Sequence, residues 1–94
     1  MENNKIVLFQ EKQVRRVWHD EQWYFSVIDV IETITESINP RKYWTSMQNR
    51  EPELDTICIR LKMIAADGKN RLTEVANTEG VFRILMSIPK IKKI

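Results

Sequence analysis

The chain has 94 residues, 43% of them hydrophobic, and its single cysteine excludes an internal disulfide. This length predicts one domain, residues 1–94, near the lower size limit for folding without cross-links. The formal net charge is +2, but without Lys90, Lys92 and Lys93 the chain would hold 12 basic and 13 acidic residues. Total charge therefore does not indicate a polyanionic partner, and only the positions of the charges can do so.

The sequence gives no reason to expect a membrane segment, a metal or another cofactor. No apolar run approaches the roughly 20 residues of a membrane span, and the start of the chain lacks a signal-peptide pattern. Cys58 cannot build a zinc site by itself and, between apolar neighbours, is interpreted as a small packed side chain. These features favour a reducing compartment such as the bacterial cytoplasm.

The first third of the chain predicts β-structure followed by a helix. "KIVLFQ", the alternating "QVRRVWH" and the aromatic "WYF" predict an antiparallel meander over residues 5–25, with "HDEQ" as a turn. Ser26 and Asp29 then have capping-box spacing, and apolar residues follow at helical intervals. The acidic residues of this helix, Asp29, Glu32 and Glu36, share the opposite face, which we expect to point away from any nucleic acid.

The remainder predicts two more helices and a hairpin between them. Asn39 and Pro40 are the cap and first residue of a helix that runs to Arg50. "ICIRLKMIAADGKNRLTEVA" predicts a hairpin with a two-residue turn at Asp67-Gly68, and "NTEGVFRILMSIP" predicts a last helix. The element order is βββ-α-α-ββ-α, an α+β fold in which a short antiparallel meander and a β-hairpin pack with about three α-helices.

The second helix has an outer face without carboxylates. On a helical wheel Tyr43, Trp44 and Met47 form the core-facing stripe. The other positions all carry hydrogen-bond donors, in the order Gln48, Arg41, Thr45, Asn49, Lys42 and Ser46, with Arg50 at the edge. These residue types contact phosphates and base edges in DNA complexes.

The predicted hairpin shows a similar bias. A two-residue turn would pair Ile64 with Arg71 and Lys62 with Thr73. One face of the hairpin would then carry Arg60, Lys62, Lys69 and Arg71, and the other Ile59, Leu61, Met63 and Leu72. A slip of one residue would move these side chains to opposite faces.

Other interpretations of these residues remain open. Polar helix faces are often only solvated, and strand edges often carry Lys and Arg that prevent aggregation. The aromatics between Trp18 and Trp44 are predicted to form the core, although Trp18 or Tyr24 could instead stack on bases. His19 is interpreted as a turn residue and the Glu32/Glu36 pair as solvated, so no catalytic constellation is predicted.

Several blocks in the same order resemble one family. "WHDEQWYFSVIDVIETIT", "PRKYW" and "LKMIAADGKNRLTEVANTEGVFRIL" are similar to the Bro-N domain of BRO-family proteins and phage antirepressors. The resemblance spans roughly residues 5–89, beyond which family members usually continue with a further helical segment. It implies a shortened, non-enzymatic Bro-N-like module with a role in gene control in a bacterial host's cytoplasm or nucleoid.

The resemblance implies double-stranded DNA as the partner, or alternatively a phage repressor bound without DNA contact. "PRKYW" and "ADGKNRL" coincide with the two basic faces, so we assign roles on them. Arg41 and Lys42 are expected to contact phosphates, and Thr45, Gln48 and Asn49 base edges. Arg60, Lys62, Lys69 and Arg71 are expected to neutralise flanking phosphates. Apolar surface left around residues 81–88 could be buried in a homodimer.

Overall fold

Residues 13–89 are described by a computed structural model, in which a four-stranded antiparallel sheet packs against helices. The strands are β1 (Arg16–His19), β2 (Gln22–Ser26), β3 (Ile59–Ile64) and β4 (Asn70–Asn77), in the order β1-β2-β4-β3. The helices are α1 (Val27–Thr35), α2 (Pro40–Arg50) and α3 (Thr78–Met86), with a 3₁₀ helix at Pro52–Ile57. The predicted α+β class is confirmed. The strand predicted at residues 5–10 lies outside the described residues.

Each α-helix begins at a polar residue that satisfies a free backbone N–H group. The side chains of Ser26, Asn39 and Asn77 accept hydrogen bonds from the N–H groups of Asp29, Lys42 and Gly80, respectively. The three predicted helix starts are thus confirmed. Directly after α2, Pro52 begins the 3₁₀ helix, which buries Leu54 against the core.

The capping box at α1 forms only in half, because Asp29 has another partner. The backbone N–H and the guanidinium of Arg15 both donate to the Asp29 carboxylate, at 2.9 and 2.7 Å for the closest pairs. The Asp29 side chain is only 12% exposed, and it binds Arg15 instead of forming an open acidic face with Glu32 and Glu36. The N–H of Ser26 donates instead to the carbonyl of Arg15, which continues the β1–β2 pairing.

The helices cover one face of the sheet. Their buried residues meet Ala76 of β4 in a cluster that comprises Val27, Ile31, Trp44, Met47, Leu54, Ala76, Ile84 and Ile88. The opposite face carries a smaller cluster around Tyr24, Met63 and Val75. The predicted core stripe of α2 is confirmed, since Trp44 and Met47 are buried and Tyr43 is half-buried.

Two tryptophans lie outside this core. Trp18 and Trp23 are opposite each other on β1 and β2, with their ring centroids 5.2 Å apart, and are 58% and 37% exposed. The Arg16 guanidinium lies 4.0 Å from the Trp23 ring centroid. The prediction that these aromatics join the core is wrong, because a cross-strand pair at the end of the sheet supplies their contacts instead.

The β3–β4 hairpin, here called the β-ribbon, has a register one residue away from the predicted one. Met63, not Ile64, lies opposite Arg71, and Lys62 lies opposite Leu72. The Ala65 N–H donates to the Lys69 carbonyl across a three-residue loop that ends at Gly68, whose φ is +84°. The loop is therefore a type I turn followed by a left-handed glycine, and not a two-residue turn.

This register changes the predicted basic face of the β-ribbon. Arg60 and Lys62 share a face with Leu72 and Glu74, whereas Arg71 lies on the other face. The prediction that these basic residues form one carboxylate-free face is therefore wrong.

Candidate nucleic-acid interface

A cleft of about 710 Å³ lies between the helices and the β-ribbon. We call it the arginine cleft, because it is bordered by Arg15 from the segment before β1, Arg41 from α2, Arg60 from β3 and Arg71 from β4. The other lining residues are Ile28, Gln48, Asp55, Cys58, Ile59, Ala65, Leu72, Thr73 and Glu74. Two predicted basic elements, α2 and the β-ribbon, therefore meet at this cleft.

The four arginines differ in how far their charge is already neutralised. Arg15 is held by Asp29, donates to the Ile64 carbonyl at 2.9 Å and lies 3.2 Å from the Ser26 hydroxyl. The hydrogen bond with Asp29 is also the main reason that the pKa of Arg15 is raised above its usual value. Arg71 is paired with Asp67, and this pairing lowers the pKa of the Asp67 carboxyl.

Arg41 and Arg60 are the arginines of the cleft that stay available for a ligand. Both side chains are exposed, and neither has an ion-pair or hydrogen-bond partner among residues 13–89. They come from α2 and β3, on the two sides of the cleft. An anion between these two guanidinium groups would meet unshared positive charge.

The cleft also contains two carboxylates and a thiol. Asp55 accepts a hydrogen bond from the Gln48 amide, and Glu74 accepts one from the Trp44 indole at 2.8 Å. Cys58 is half-buried beside them, and burial together with the charges of Glu74 and Asp55 raises its pKa to about 12. Since this thiol stays protonated, it is a poor nucleophile at neutral pH.

The predicted polar face of α2 is divided between two surfaces. Arg41 and Gln48 line the arginine cleft, whereas Lys42 and Arg50 line a shallower groove with Ile38 and Pro89. Helical geometry places Thr45 and Asn49 between these surfaces, and both are exposed.

The residues predicted on the β-ribbon are divided as well. Arg60 and Arg71 border the cleft, while Lys62 and Lys69 are exposed outside its lining. Arg15 borders the cleft but was missed by sequence reasoning. Its position depends on the bond to Asp29, a contact across 14 residues that strand alternation does not reveal.

Within residues 13–89, no group of three or more His, Cys, Asp or Glu side chains could hold a metal ion. None of the helices in the described part of the chain is long and apolar enough to cross a bilayer.

Comparisons with known proteins add no constraint. No protein-family model matches the chain, and neither the curated proteins nor the solved structures contain a significant match.

Proposed function

We propose that this domain binds double-stranded DNA and acts in transcriptional control, as a Bro-N-like module of a phage or prophage antirepressor would. The observation that carries the proposal is the pair of unneutralised guanidinium groups of Arg41 and Arg60 on the two sides of one cleft. DNA phosphates are recognised mainly by such Arg and Lys side chains. The proposed activity is binding, and no catalytic step is part of it.

Most of the predicted contacts have a place in this proposal, but Arg71 does not, because it is already paired with Asp67. Arg41 and Arg60 contact phosphates directly, and the exposed Lys62 and Lys69 extend the positive surface along the β-ribbon. Thr45 and Asn49, at the outer side of α2, are the side chains that can reach base edges. Gln48 contributes less to DNA binding than the sequence suggests, because its amide already donates to Asp55.

A titration of labelled mixed-sequence duplex at two salt concentrations, followed by fluorescence anisotropy, tests the proposal. Affinity is expected to fall steeply as salt rises, and Arg41→Gln or Arg60→Gln is expected to reduce the salt slope by about one each. Arg16→Gln is the matched control, because Arg16 is an exposed arginine on β1, stacked on Trp23 and outside the cleft lining. Equal effects of all three substitutions, or binding insensitive to salt, would contradict the proposal.

A second candidate is a protein-interaction module whose target is a phage repressor or another regulator. It is favoured by two apolar side chains on α3, since Phe82 and Met86 are 67% and 75% exposed. Exposed apolar residues of this size commonly mark contacts with other proteins, including a second copy of the same chain. In that case Phe82→Ser, and not Arg41→Gln, would abolish binding to the repressor. Light scattering over a dilution series would reveal a homodimer.

A further inference from the structure

The carboxylates of the arginine cleft need an explanation, because a surface that only binds phosphates would exclude them. One oxygen of Asp55 accepts from Gln48, and one oxygen of Glu74 accepts from Trp44. The second oxygen of each carboxylate has no hydrogen-bond partner within residues 13–89. The cleft thus offers free acceptors beside the free donors of Arg41 and Arg60.

These acceptors lie together in a partly apolar part of the cleft. Both carboxylates are close enough to Cys58 for their charges to act on its thiol, and Ile28 and Leu72 add apolar surface to the lining. A volume of about 710 Å³ is in the range of small-molecule pockets. It can hold one nucleotide, whereas a DNA duplex can contact only the exposed arginines at its rim.

We propose that the arginine cleft takes up a single unpaired guanine nucleotide from a DNA strand, an inference that rests on the proposed DNA binding. Guanine presents O6 and N7 as acceptors, which match arginine, and its 2-amino group is a donor that matches a carboxylate. The N1–H and 2-amino donors become accessible to a protein together only when the base is unpaired. Thymine has one N–H group between two carbonyl oxygens, so two carboxylates would repel its edge.

The test compares three labelled DNAs by fluorescence anisotropy at fixed salt. They are a blunt duplex, the same duplex with an all-thymine single-stranded overhang, and that overhang with one guanine replacing a thymine. The guanine-containing DNA is expected to bind about tenfold more tightly than the all-thymine DNA, the discrimination of one good bidentate contact. Hypoxanthine in place of guanine removes only the 2-amino group. Most of the gain in affinity over the all-thymine DNA should disappear with that group.

Variants locate the effect in the cleft. Glu74→Gln and Asp55→Asn should each reduce the preference for guanine, while binding to the blunt duplex persists or strengthens because negative charge is removed. Glu79→Gln is the matched control, since Glu79 is an exposed carboxylate of α3 outside the cleft lining, and it should retain the full preference. Asp55→Asn keeps the test decisive if Glu74→Gln fails to fold.

The outcomes separate this inference from the proposed function. Binding to all three DNAs with equal affinity would overturn the guanine site and leave duplex binding intact. A guanine preference that both cleft variants retain would also overturn it, because the base would then be bound elsewhere. Failure to bind any DNA would overturn both proposals.

Discussion

The indole nitrogen of Trp44 on α2 donates a 2.8 Å hydrogen bond to the Glu74 carboxylate on β4, 30 residues away. Trp44 is 1% exposed, so this bond connects the buried side of α2 to the β-ribbon. It satisfies an indole N–H that would otherwise be buried without a partner. The bond also fixes one wall of the arginine cleft relative to the other, since α2 carries Arg41 and the β-ribbon carries Arg60.

Trp44→Phe should therefore destabilise the domain. The substitution removes the hydrogen bond, leaves a cavity and frees Glu74, for which we expect a loss of about 2 kcal/mol in the free energy of unfolding. Urea denaturation followed by circular dichroism measures it. Trp18→Phe is the control. Because Trp18 is 58% exposed, its replacement should reduce the free energy of unfolding far less. Similar losses for both substitutions would show that the Trp44–Glu74 contact is unimportant.

Gly80 in the first turn of α3 should resist replacement by alanine. Alanine normally stabilises a helix relative to glycine by up to about 1 kcal/mol. Here a Cβ atom would lie 2.9 Å from the Cβ of Ala76 and 3.2 Å from the Ile57 carbonyl oxygen. We expect the crowding to prevail and Gly80→Ala to lose about 1–2 kcal/mol in the free energy of unfolding. Thermal unfolding checks this, with Glu79→Ala as an exposed neighbouring control, and a higher melting temperature for Gly80→Ala would refute it.

Local rules predicted the helices and the buried side of α2, because caps and apolar periodicity act within a few residues. Asn39, Pro40 and the Trp44/Met47 stripe fixed α2 in this way. The β-ribbon register could not be obtained with the same certainty. Asp67-Gly68 fits a two-residue turn and also a three-residue loop that ends in a left-handed glycine. The choice between them moves Arg71 to the opposite face from Arg60.

The candidate site was predictable only in part, because it depends on tertiary contacts. The helical wheel grouped Arg41 with Lys42, but the packing of α2 assigns them to different surfaces. The pairing of Arg15 with Asp29 and of Gln48 with Asp55 joins elements whose approach no sequence pattern specifies. Charge patterns therefore indicated the elements of the site, and the fold determined which side chains of those elements share it.

Arg15 and Arg41 should respond differently to substitution although both border the cleft. Arg15 is held by Asp29 and by the Ile64 carbonyl, so Arg15→Gln should lower the free energy of unfolding by about 1–3 kcal/mol. Its charge is already neutralised, and the salt dependence of DNA binding should hardly change. Arg41→Gln should hardly change the free energy of unfolding but should reduce the salt slope of DNA binding, since the Arg41 side chain has no partner among the described residues. Urea denaturation and anisotropy titrations of the two variants distinguish these expectations, and a reduced salt slope for Arg15→Gln would contradict them.

Cys58 should react slowly with alkylating reagents at mildly alkaline pH. Burial, aided by the charges of Glu74 and Asp55, raises its pKa from 9.0 to about 12, so at pH 8 the thiolate fraction falls about a thousandfold. Because the pKa of Cys58 is raised in the folded state, the thiol stabilises the fold fully below pH 9. That contribution is lost as the pH rises towards 12. Iodoacetamide labelling followed by mass spectrometry should be more than tenfold slower in the folded protein than in urea.

The carboxylates beside Cys58 provide the internal control for this prediction. Glu74→Gln removes one of the two charges that raise the thiol pKa, so labelling at pH 8 should become faster than in the unchanged protein. Glu79→Gln removes an exposed charge of α3, outside the lining of the arginine cleft, and should leave the labelling rate unchanged. Rapid labelling of the folded, unchanged protein would show that Cys58 is more accessible than its half-buried position allows.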